Sequence, residues 1–172
     1  MPRATEDPAA RLISELTVRG LRVAVAESLT GGLVVAELTS VPGASVVVSG
    51  GVVAYDTSVK RSVLGVDAEL LEAEGAVHPE VARQMADRVR TVLVVDGRPA
   101  ELGIATTGVA GPTDQDGKPP GTVFVGIAFD GAVEAIELSV TGSRAEIRAA
   151  TVQVAIEAAF ARVEGSSPNQ PE

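Results

Sequence analysis

The sequence predicts an α/β protein, a three-layer α/β/α fold built on a mixed, mostly parallel sheet. Apolar, β-branched runs alternate with helical runs in the first half of the chain, which favours parallel strands joined by crossover helices. Two later apolar runs flank Asp130-Gly131, a dipeptide typical of tight hairpins, so part of the sheet should be antiparallel. The 172 residues contain no internal repeat and no linker, which predicts one domain over 8–163 between a flexible segment, 1–7, and a disordered tail, 164–172.

The first half of the chain provides two helices and two strands of this fold. Asp7-Pro8 is typical of a helix start and Gly20 of a helix end, which together predict a helix over 8–19. The other elements predicted here are a strand over 21–26, a helix from 33 to about 42, a strand over 45–55 and a polar, helical stretch over 56–74.

The second half begins with another helix and continues with the remaining strands. His78-Pro79-Glu80 resembles a helix start, which favours a capping role for His78 over catalysis, and this helix should end before Gly97. The remaining elements are a strand over 102–106, a Gly/Pro-rich loop over 108–121, hairpin strands over 122–129 and 133–140, and an amphipathic helix over 144–163.

Charge and composition disfavour several classes of protein. The 23 acidic and 14 basic residues leave a net charge of −9, the wrong sign for a chain whose main task is to neutralise nucleic-acid phosphates or anionic lipid. The absence of cysteine excludes disulfides, thiolate zinc sites and cysteine nucleophiles, and the carboxylates show no metal-ligand motif. No apolar run suits a signal peptide or a membrane span, so we expect a cytoplasmic protein.

The basic residues are strongly skewed, because twelve are Arg and only Lys60 and Lys118 are Lys. On a solvated surface Arg and Lys are nearly equivalent, so lysine can persist where another property is needed. An ammonium group can lose its proton when it is desolvated, whereas a guanidinium stays charged. The skew is weak evidence for chemistry at these two positions, and chance is the alternative.

Three segments should lie at the carboxyl ends of strands, where ligands bind in open α/β sheets. The first, 28–32, joins a strand to a helix, and its glycines allow backbone N–H groups to approach an anionic ligand. Ser28 is therefore a candidate nucleophile or anion-binding hydroxyl. The alternative is that Ser28 or Thr30 only caps the helix.

The second segment follows the second strand and contains Tyr55 and Lys60. A lysine beside a serine hydroxyl can act as its general base when burial lowers the lysine pKa. Spacing alone does not place Lys60 beside Ser28, and a solvated helix lysine is the alternative.

The third segment is the loop over 108–121, whose N–H groups could bind an oxyanion or a phosphate, with Lys118 supplying charge. A flexible crossover with an exposed Lys118 is the alternative. Arg144 and Arg148 lie four residues apart near a helix start, hence on one face, where they could clamp a phosphate or pair with surface carboxylates.

A series of short segments combines these residues in a fixed order over about residues 8 to 163. The segments are Ala26-Glu27-Ser28-Leu29-Thr30-Gly31-Gly32, Val53-Ala54-Tyr55 through Lys60, Leu64-Gly65-Val66, Gly75-Ala76-Val77, Thr107-Gly108-Val109-Ala110-Gly111-Pro112, Lys118-Pro119 and Thr141-Gly142-Ser143-Arg144. Together they resemble the CinA C-terminal domain family, which includes nicotinamide-nucleotide amidases.

The resemblance implies hydrolysis of the amide of nicotinamide mononucleotide (NMN) to nicotinic acid mononucleotide and ammonia, without a metal or other cofactor. It implies an α/β/α fold and a nucleophile, Ser28, with a base, Lys60. The other residues that it assigns are Thr107 as a catalytic hydroxyl, Tyr55 against the ring, Arg144 at the phosphate, and N–H groups of Thr30, Gly31 and Gly32, or of the Gly108 loop, at the oxyanion. Arg148 joins Arg144 as a candidate on helical spacing alone.

Several residues depart from the family pattern. Leu29 stands where the family usually has Cys, His78 where it often has Ser, and Asp114-Gln115 where it has loop glycines. A non-catalytic nucleotide-binding module and hydrolysis of another amide are the alternative functions. We expect a small-molecule nucleotide as the partner, and neither nucleic acid nor a membrane; an apolar helix face is compatible with a homo-oligomer such as a dimer.

Overall fold

The computed structural model describes residues 7–166, so 1–6 of the predicted flexible segment and 167–172 of the predicted disordered tail lie outside the described residues. The remaining residues of the two predicted ends are described: Asp7 caps the first helix, and the last helix continues to Glu164. In chain order the elements are α1 (Pro8–Arg19), β1 (Val23–Glu27), α2 (Leu33–Ser40), a 3-10 helix (Ala44–Val46), β2 (Val48–Val53), α3 (Thr57–Ser62), α4 (Ala68–Glu74), α5 (Pro79–Val92), β3 (Leu102–Gly108), β4 (Thr122–Phe129), β5 (Ala132–Ser139) and α6 (Arg144–Glu164). Helix α1 has the predicted bounds, because the Asp7 carboxylate caps its start and Gly20 ends it with a left-handed backbone.

Within the described residues the strands form one five-stranded mixed sheet in the order β2-β1-β3-β4-β5. β1 pairs in parallel with β2 and β3, whereas β4 pairs antiparallel with β3 and with β5. Four strands therefore run in one direction and β4 runs against them, which confirms the predicted mixed, mostly parallel sheet. The hairpin turns at Asp130-Gly131, where both residues have the positive φ of a type I′ turn.

Helices cover both faces of the sheet. α1, α2 and α6 pack on one face around a core that includes Leu16, Val25 and Ile104. α5 packs on the other face, where Met85 contacts a core of smaller side chains that includes Ala105. Because successive side chains of a strand alternate between faces, the larger and smaller apolar residues of the central strands are sorted onto opposite sides.

Helix α5 lies unusually close to the sheet because two strand positions are glycine. A Cβ added at Gly103 of β3 would lie 1.9 Å from the Ala86 carbonyl oxygen, and one at Gly126 of β4 would lie 2.2 Å from the Ala82 carbonyl oxygen. No side chain larger than hydrogen fits at either position without moving the helix.

Four of the five predicted strands have different bounds in the structure, β4 alone matching, and β2 and β3 show the reason. The predicted strand over 45–55 begins as a 3-10 helix and becomes β2 only at Val48, where pairing with Val23 of β1 starts. β3 continues two residues beyond the predicted end, to Gly108, because β4 supplies pairing partners as far as Val123. In both cases hydrogen bonding to a neighbouring strand sets the boundary.

The carboxyl ends of the three neighbouring parallel strands are level with one another. Glu27, the last residue of β1, pairs with Val53 of β2 and with Thr106 of β3. The segments that follow these strands therefore start at the same edge of the sheet, which is where the sequence predicts the functional residues.

None of the helices in the described residues has the length and apolarity that crossing a bilayer requires.

Candidate active site

A cleft of about 490 Å³ opens at this edge of the sheet. It is lined by residues from the ends of all three parallel strands, from the loop after β3 and from the start of α6: Ser28, Leu29, Tyr55, Asp56, Thr57, Gly108, Val109, Ala110, Gly111, Thr113, Asp114, Gln115 and Arg144. Four of the predicted site residues, Ser28, Tyr55, Gly108 and Arg144, are in this lining.

Ser28 and Lys60 are in direct contact at the base of the cleft. The Lys60 Nζ lies 2.9 Å from the Ser28 Oγ, 2.7 Å from the Ala54 carbonyl oxygen and 3.5 Å from the Tyr55 carbonyl oxygen. Lys60 is only 1% exposed and Ser28 only 7%. The Ser28 hydroxyl is thus held against an amine from which water is excluded.

Burial lowers the pKa of Lys60 from 10.5 to about 8, because a charged ammonium is disfavoured away from water. The carboxylates of Asp56 and Asp116 oppose this effect by attracting the ammonium. Close to neutral pH, a substantial minority of Lys60 is then a neutral amine that can accept a proton.

Helix α3 carries Lys60 to this position and begins at a well-formed cap. The Asp56 carboxylate accepts a hydrogen bond of 2.8 Å from the Ser58 backbone N–H. Hydrogen bonds from the Ser58 hydroxyl and N–H lower the pKa of Asp56. Asp56 therefore stays ionised, and it fixes the first turn of the short helix on which Lys60 lies.

A buried carboxylate, Glu27, organises the loop that carries Ser28. Glu27 is fully buried, and it accepts hydrogen bonds from the Thr30 hydroxyl at 2.6 Å and from three backbone N–H groups at 2.9 to 3.0 Å. Those N–H groups belong to Gly32, Val34 and Val35 at the start of α2, whose N-cap, Gly32, has no side chain to cap it. Glu27 therefore caps α2 from the preceding strand, a role that the sequence analysis missed although a charge ending an apolar strand is a usable signal.

Replacing Glu27 by glutamine should lower the free energy of unfolding by about 2–4 kcal/mol, because an amide group would face N–H donors that would lose their acceptor. Urea denaturation at pH 7 measures the change. Glu37→Gln on α2, the helix that Glu27 caps, is the matched control, and its effect should stay within ~0.5 kcal/mol. Equal stability of the two variants would show that the Glu27 carboxylate contributes nothing as a cap.

The structure brings Thr106, and not Thr107, to the 28–32 loop that carries Ser28. The Thr106 hydroxyl lies 2.8 Å from the Thr30 hydroxyl, and its carbonyl accepts a hydrogen bond of 3.0 Å from the Ser28 N–H. The Thr107 hydroxyl is buried on the other face of β3 and donates to the Ala76 carbonyl at 2.7 Å. Among the described residues, the hydroxyl predicted to be catalytic therefore hydrogen-bonds to Ala76 and to neither Ser28 nor Lys60, because adjacent strand residues face opposite sides.

The predicted ligand donors in the 28–32 loop are mostly engaged within the protein. The Gly31 N–H donates to the Ser28 carbonyl, the Gly32 N–H to Glu27, and the Thr30 hydroxyl also to Glu27. Among residues 7–166, the N–H groups of Leu29 and Thr30 donate to no acceptor. Leu29 lines the cleft whereas Thr30 is fully buried, so the Leu29 N–H, rather than those of Thr30, Gly31 and Gly32, is the candidate oxyanion donor of this loop.

Tyr55 and Arg144 form the outer rim of the cleft. The Arg144 guanidinium donates at 2.8 Å both to the Tyr55 hydroxyl and to the Gly111 carbonyl oxygen. Both partners are uncharged, so the arginine charge is not neutralised by its contacts. Tyr55 is 58% exposed, which leaves its ring free to contact a ligand.

Arg148 differs from the prediction that it binds substrate with Arg144. Its guanidinium donates to the carbonyl oxygens of Leu29 and Thr30 at 2.9 and 3.0 Å, and it does not line the cleft. These two hydrogen bonds instead connect α6 to the 28–32 loop. One turn of helix separates the two arginines, which is enough to place one in the cleft and the other behind it.

The other residues singled out in the sequence lie outside the cleft lining. His78 caps α5, with its Nδ1 accepting from the Glu80 N–H at 3.1 Å, which confirms the capping prediction. Lys118 is half-buried and does not line the cleft. In the part of the chain that the structure describes, no cluster of three or more His, Asp or Glu side chains is arranged to hold a metal ion.

Comparison with known proteins identifies relatives of this chain. The family model for the CinA C-terminal domain matches residues 5–163. A CinA-like protein of Gemmatimonas aurantiaca is 44% identical over 167 residues, which cover 93% of this chain and 37% of the relative. The chain thus spans about a third of the length of the curated relatives it matches.

Solved structures of similar proteins share the fold over nearly the whole chain. A CinA superfamily protein from Klebsiella pneumoniae has a TM-score of 0.86 at 32% identity, covering 95% of this chain and 100% of that chain. A competence/damage inducible protein from Agrobacterium tumefaciens has a TM-score of 0.84 at 38% identity, covering 92% of this chain and 94% of that chain. These matches confirm the predicted α/β architecture.

Proposed function

This chain belongs to the CinA C-terminal domain family, and from that premise we propose that it is an amidohydrolase that deamidates NMN through a Ser28–Lys60 pair. The observation that carries the proposal is the buried Lys60 amine 2.9 Å from the Ser28 hydroxyl. A purely structural lysine gains nothing from such burial, which penalises its charged form. A general base needs that same penalty, because it makes the amine neutral.

The hydrogen bonds of Lys60 suit a neutral amine that faces a hydroxyl. Its two N–H groups have acceptors in the Ala54 and Tyr55 carbonyl oxygens, which leaves the lone pair for the Ser28 proton. Lys60 takes that proton as the Ser28 Oγ forms a bond to the carboxamide carbon. The carbonyl oxygen of the substrate becomes an oxyanion.

The next steps release ammonia and then the acid. The N–H group of Leu29, which lines the cleft, is the candidate donor to the oxyanion, and loss of such a donor typically costs ~10²–10³ in rate. The Lys60 ammonium returns its proton to the leaving nitrogen as the C–N bond breaks, and ammonia departs from an acyl-Ser28 ester. Water, deprotonated by Lys60, then cleaves the ester and regenerates the serine hydroxyl.

The rim of the cleft supplies groups that suit the rest of the nucleotide. The charge of Arg144 is compensated by no carboxylate in its hydrogen bonds, so it is the candidate for the substrate phosphate. The exposed ring of Tyr55 can pack against the pyridine ring, whose positive charge favours an aromatic face. A cleft of about 490 Å³ is within the usual range for small-molecule sites.

The direct test is ammonia release from NMN by the purified chain, with nicotinic acid mononucleotide identified as the second product. Nicotinamide and glutamine serve as amides that lack the nucleotide. Turnover of NMN alone supports the proposal. Tight NMN binding without turnover identifies a non-catalytic nucleotide-binding module, and turnover of another amide in preference to NMN identifies a different substrate.

The pH dependence of the reaction should follow the loss of a proton from the Lys60 ammonium. Since the pKa of Lys60 is about 8 and the neutral amine is the active form, kcat/KM for NMN should rise with pH through a midpoint near 8 and then level off. Initial rates between pH 6 and 10 at constant ionic strength measure the profile. A profile that is flat between pH 6 and 9 contradicts the general-base role.

A further inference from the structure

We propose that Asp116 is a positioning residue. Its hydrogen bond attaches one wall of the cleft to the Gly75-Ala76 turn and so fixes the position of that wall relative to Ser28; we call this contact the latch. The inference rests on the proposed function only in taking the cleft as the substrate site. The wall in question is the loop segment 113–118, of which Thr113, Asp114 and Gln115 line the cleft. Apart from its charge, which favours the Lys60 ammonium, Asp116 has no role in the function described above.

The wall is the tip of a short hairpin that is closed at its base. The Val109 N–H donates to the Thr122 carbonyl at 2.9 Å, and the Gly121 N–H donates to the Val109 carbonyl at 2.7 Å. At the tip, the backbones of Gln115 and Lys118 exchange two hydrogen bonds of 2.9 to 3.0 Å around Asp116-Gly117. Asp116 and Gly117 have φ of 50° and 72°, the pattern of a type I′ turn.

The tip is attached to the body of the protein through Asp116. Its Oδ2 accepts a hydrogen bond of 3.1 Å from the Ala76 N–H. Within the described residues this is the only hydrogen bond that joins 113–118 to an element outside the loop. The contact needs glycine at position 75, because a Cβ there would lie 2.6 Å from the Asp116 carboxyl carbon.

Ala76 continues the connection inward to the strand beside the nucleophile. Its carbonyl accepts the 2.7 Å hydrogen bond from the Thr107 hydroxyl on β3, and the neighbouring Thr106 carbonyl accepts from the Ser28 N–H. The wall, the turn and the nucleophile are thus linked by consecutive hydrogen bonds. Asp116 is also near enough to Lys60 for its charge to favour the ammonium form, as does that of Asp56.

Two substitutions at Asp116 separate the hydrogen bond from the charge. Asp116→Asn keeps an oxygen acceptor and tolerates the left-handed backbone, so KM for NMN should stay within about twofold of the wild-type value. Since the carboxylate charge is gone, the acid limb of the kcat/KM profile should move to lower pH. Asp116→Ala loses acceptor and charge, and KM should rise about tenfold with kcat nearly unchanged.

Asp130→Ala is the matched control for backbone strain. Asp130 occupies the same position of an Asp-Gly turn, with φ of 52°, in the β4–β5 hairpin outside the cleft. Asp130→Ala should lower the melting temperature about as much as Asp116→Ala, because in both variants an alanine must adopt a left-handed backbone conformation. The KM of Asp130→Ala should stay at the wild-type value. An equal KM increase in both alanine variants overturns the latch in favour of strain.

Amide hydrogen exchange tests the latch without substrate. The Ala76 N–H should exchange about tenfold faster in Asp116→Ala than in the wild type, Asp116→Asn or Asp130→Ala. Unchanged exchange at Ala76 overturns the latch, whatever the activity of the protein. If the wild type does not turn over NMN, the proposed function fails and the exchange result alone decides the latch; if it does, an unchanged KM in Asp116→Ala overturns the positioning role.

Discussion

Ser28→Ala should reduce the rate of NMN deamidation by at least ~10³-fold, because it removes the nucleophile that forms the acyl-enzyme. The Ser28 Oγ is the only side-chain oxygen that contacts the Lys60 amine in the described residues. A continuous assay of ammonia release, run to single-turnover sensitivity, measures the loss.

The same variant should still bind NMN, with a Kd within about threefold of the wild-type KM, since removing one hydroxyl leaves Tyr55, Arg144 and the cleft loop in place. Calorimetry with Ser28→Ala measures this binding. Ser14→Ala, an exposed serine on α1 outside the cleft, is the control and should keep wild-type kinetics. Residual activity of Ser28→Ala above about a tenth of the wild-type rate would assign the chemistry to another group.

Lys60→Met should abolish turnover and stabilise the fold at neutral pH. The rate should fall by ~10³-fold or more, because the base and the proton donor to ammonia are the same group. The folded-state pKa of about 8 lies below the unfolded value of 10.5, so folding disfavours the ammonium. Removing the amine relieves that penalty, which amounts to ~3 kcal/mol. The Ala54 carbonyl loses its hydrogen-bond donor in the variant, so the net increase in the free energy of unfolding should be ~1–3 kcal/mol.

The pH dependence of this stability difference has a definite sign. Below pH 8 the folded and the unfolded wild type both bind a proton at Lys60, so the full cost of burying the ammonium applies. Between pH 8 and 10.5 only the unfolded state holds the proton. The free energy of unfolding of the wild type therefore rises with pH relative to that of Lys60→Met. Denaturation at pH 7 and pH 10 measures the change. Lys118→Met, at the only other lysine, should show no such dependence. Wild-type activity in Lys60→Arg would refute the base role, since arginine cannot become neutral.

Local sequence patterns were sufficient where a few neighbouring residues decide the structure. Asp7-Pro8 and Gly20 define α1, and His78 caps α5, because capping depends on residues within one turn. Alternating apolar runs predicted the layered sheet and the edge at which the cleft lies. The predicted strand over 45–55 was less accurate, since its start depends on pairing with β1 and not on its own composition.

For the candidate site, the sequence shows which types of side chain are present, but not which of them face the cleft. The sequence alone identified Ser28 and Lys60 by type, as a hydroxyl and an ionisable amine in segments that follow strands. It chose Thr107 where the structure brings Thr106 to the 28–32 loop, and it grouped Arg148 with Arg144, because those choices depend on which face of a strand or helix turns toward the cleft. Each pair has the same side chain, so composition carries no information about the difference.

The sequence by itself determined the fold class, the family and the chemical groups available for catalysis. Only the tertiary structure decided how those groups behave: it buries Lys60 against Ser28, 32 residues away, and attaches Asp116 to Ala76 across 40 residues. It also surrounds Glu27 with the backbone N–H groups of α2. Reactivity depends on desolvation and on hydrogen-bond partners, and both arise when segments distant in sequence pack together.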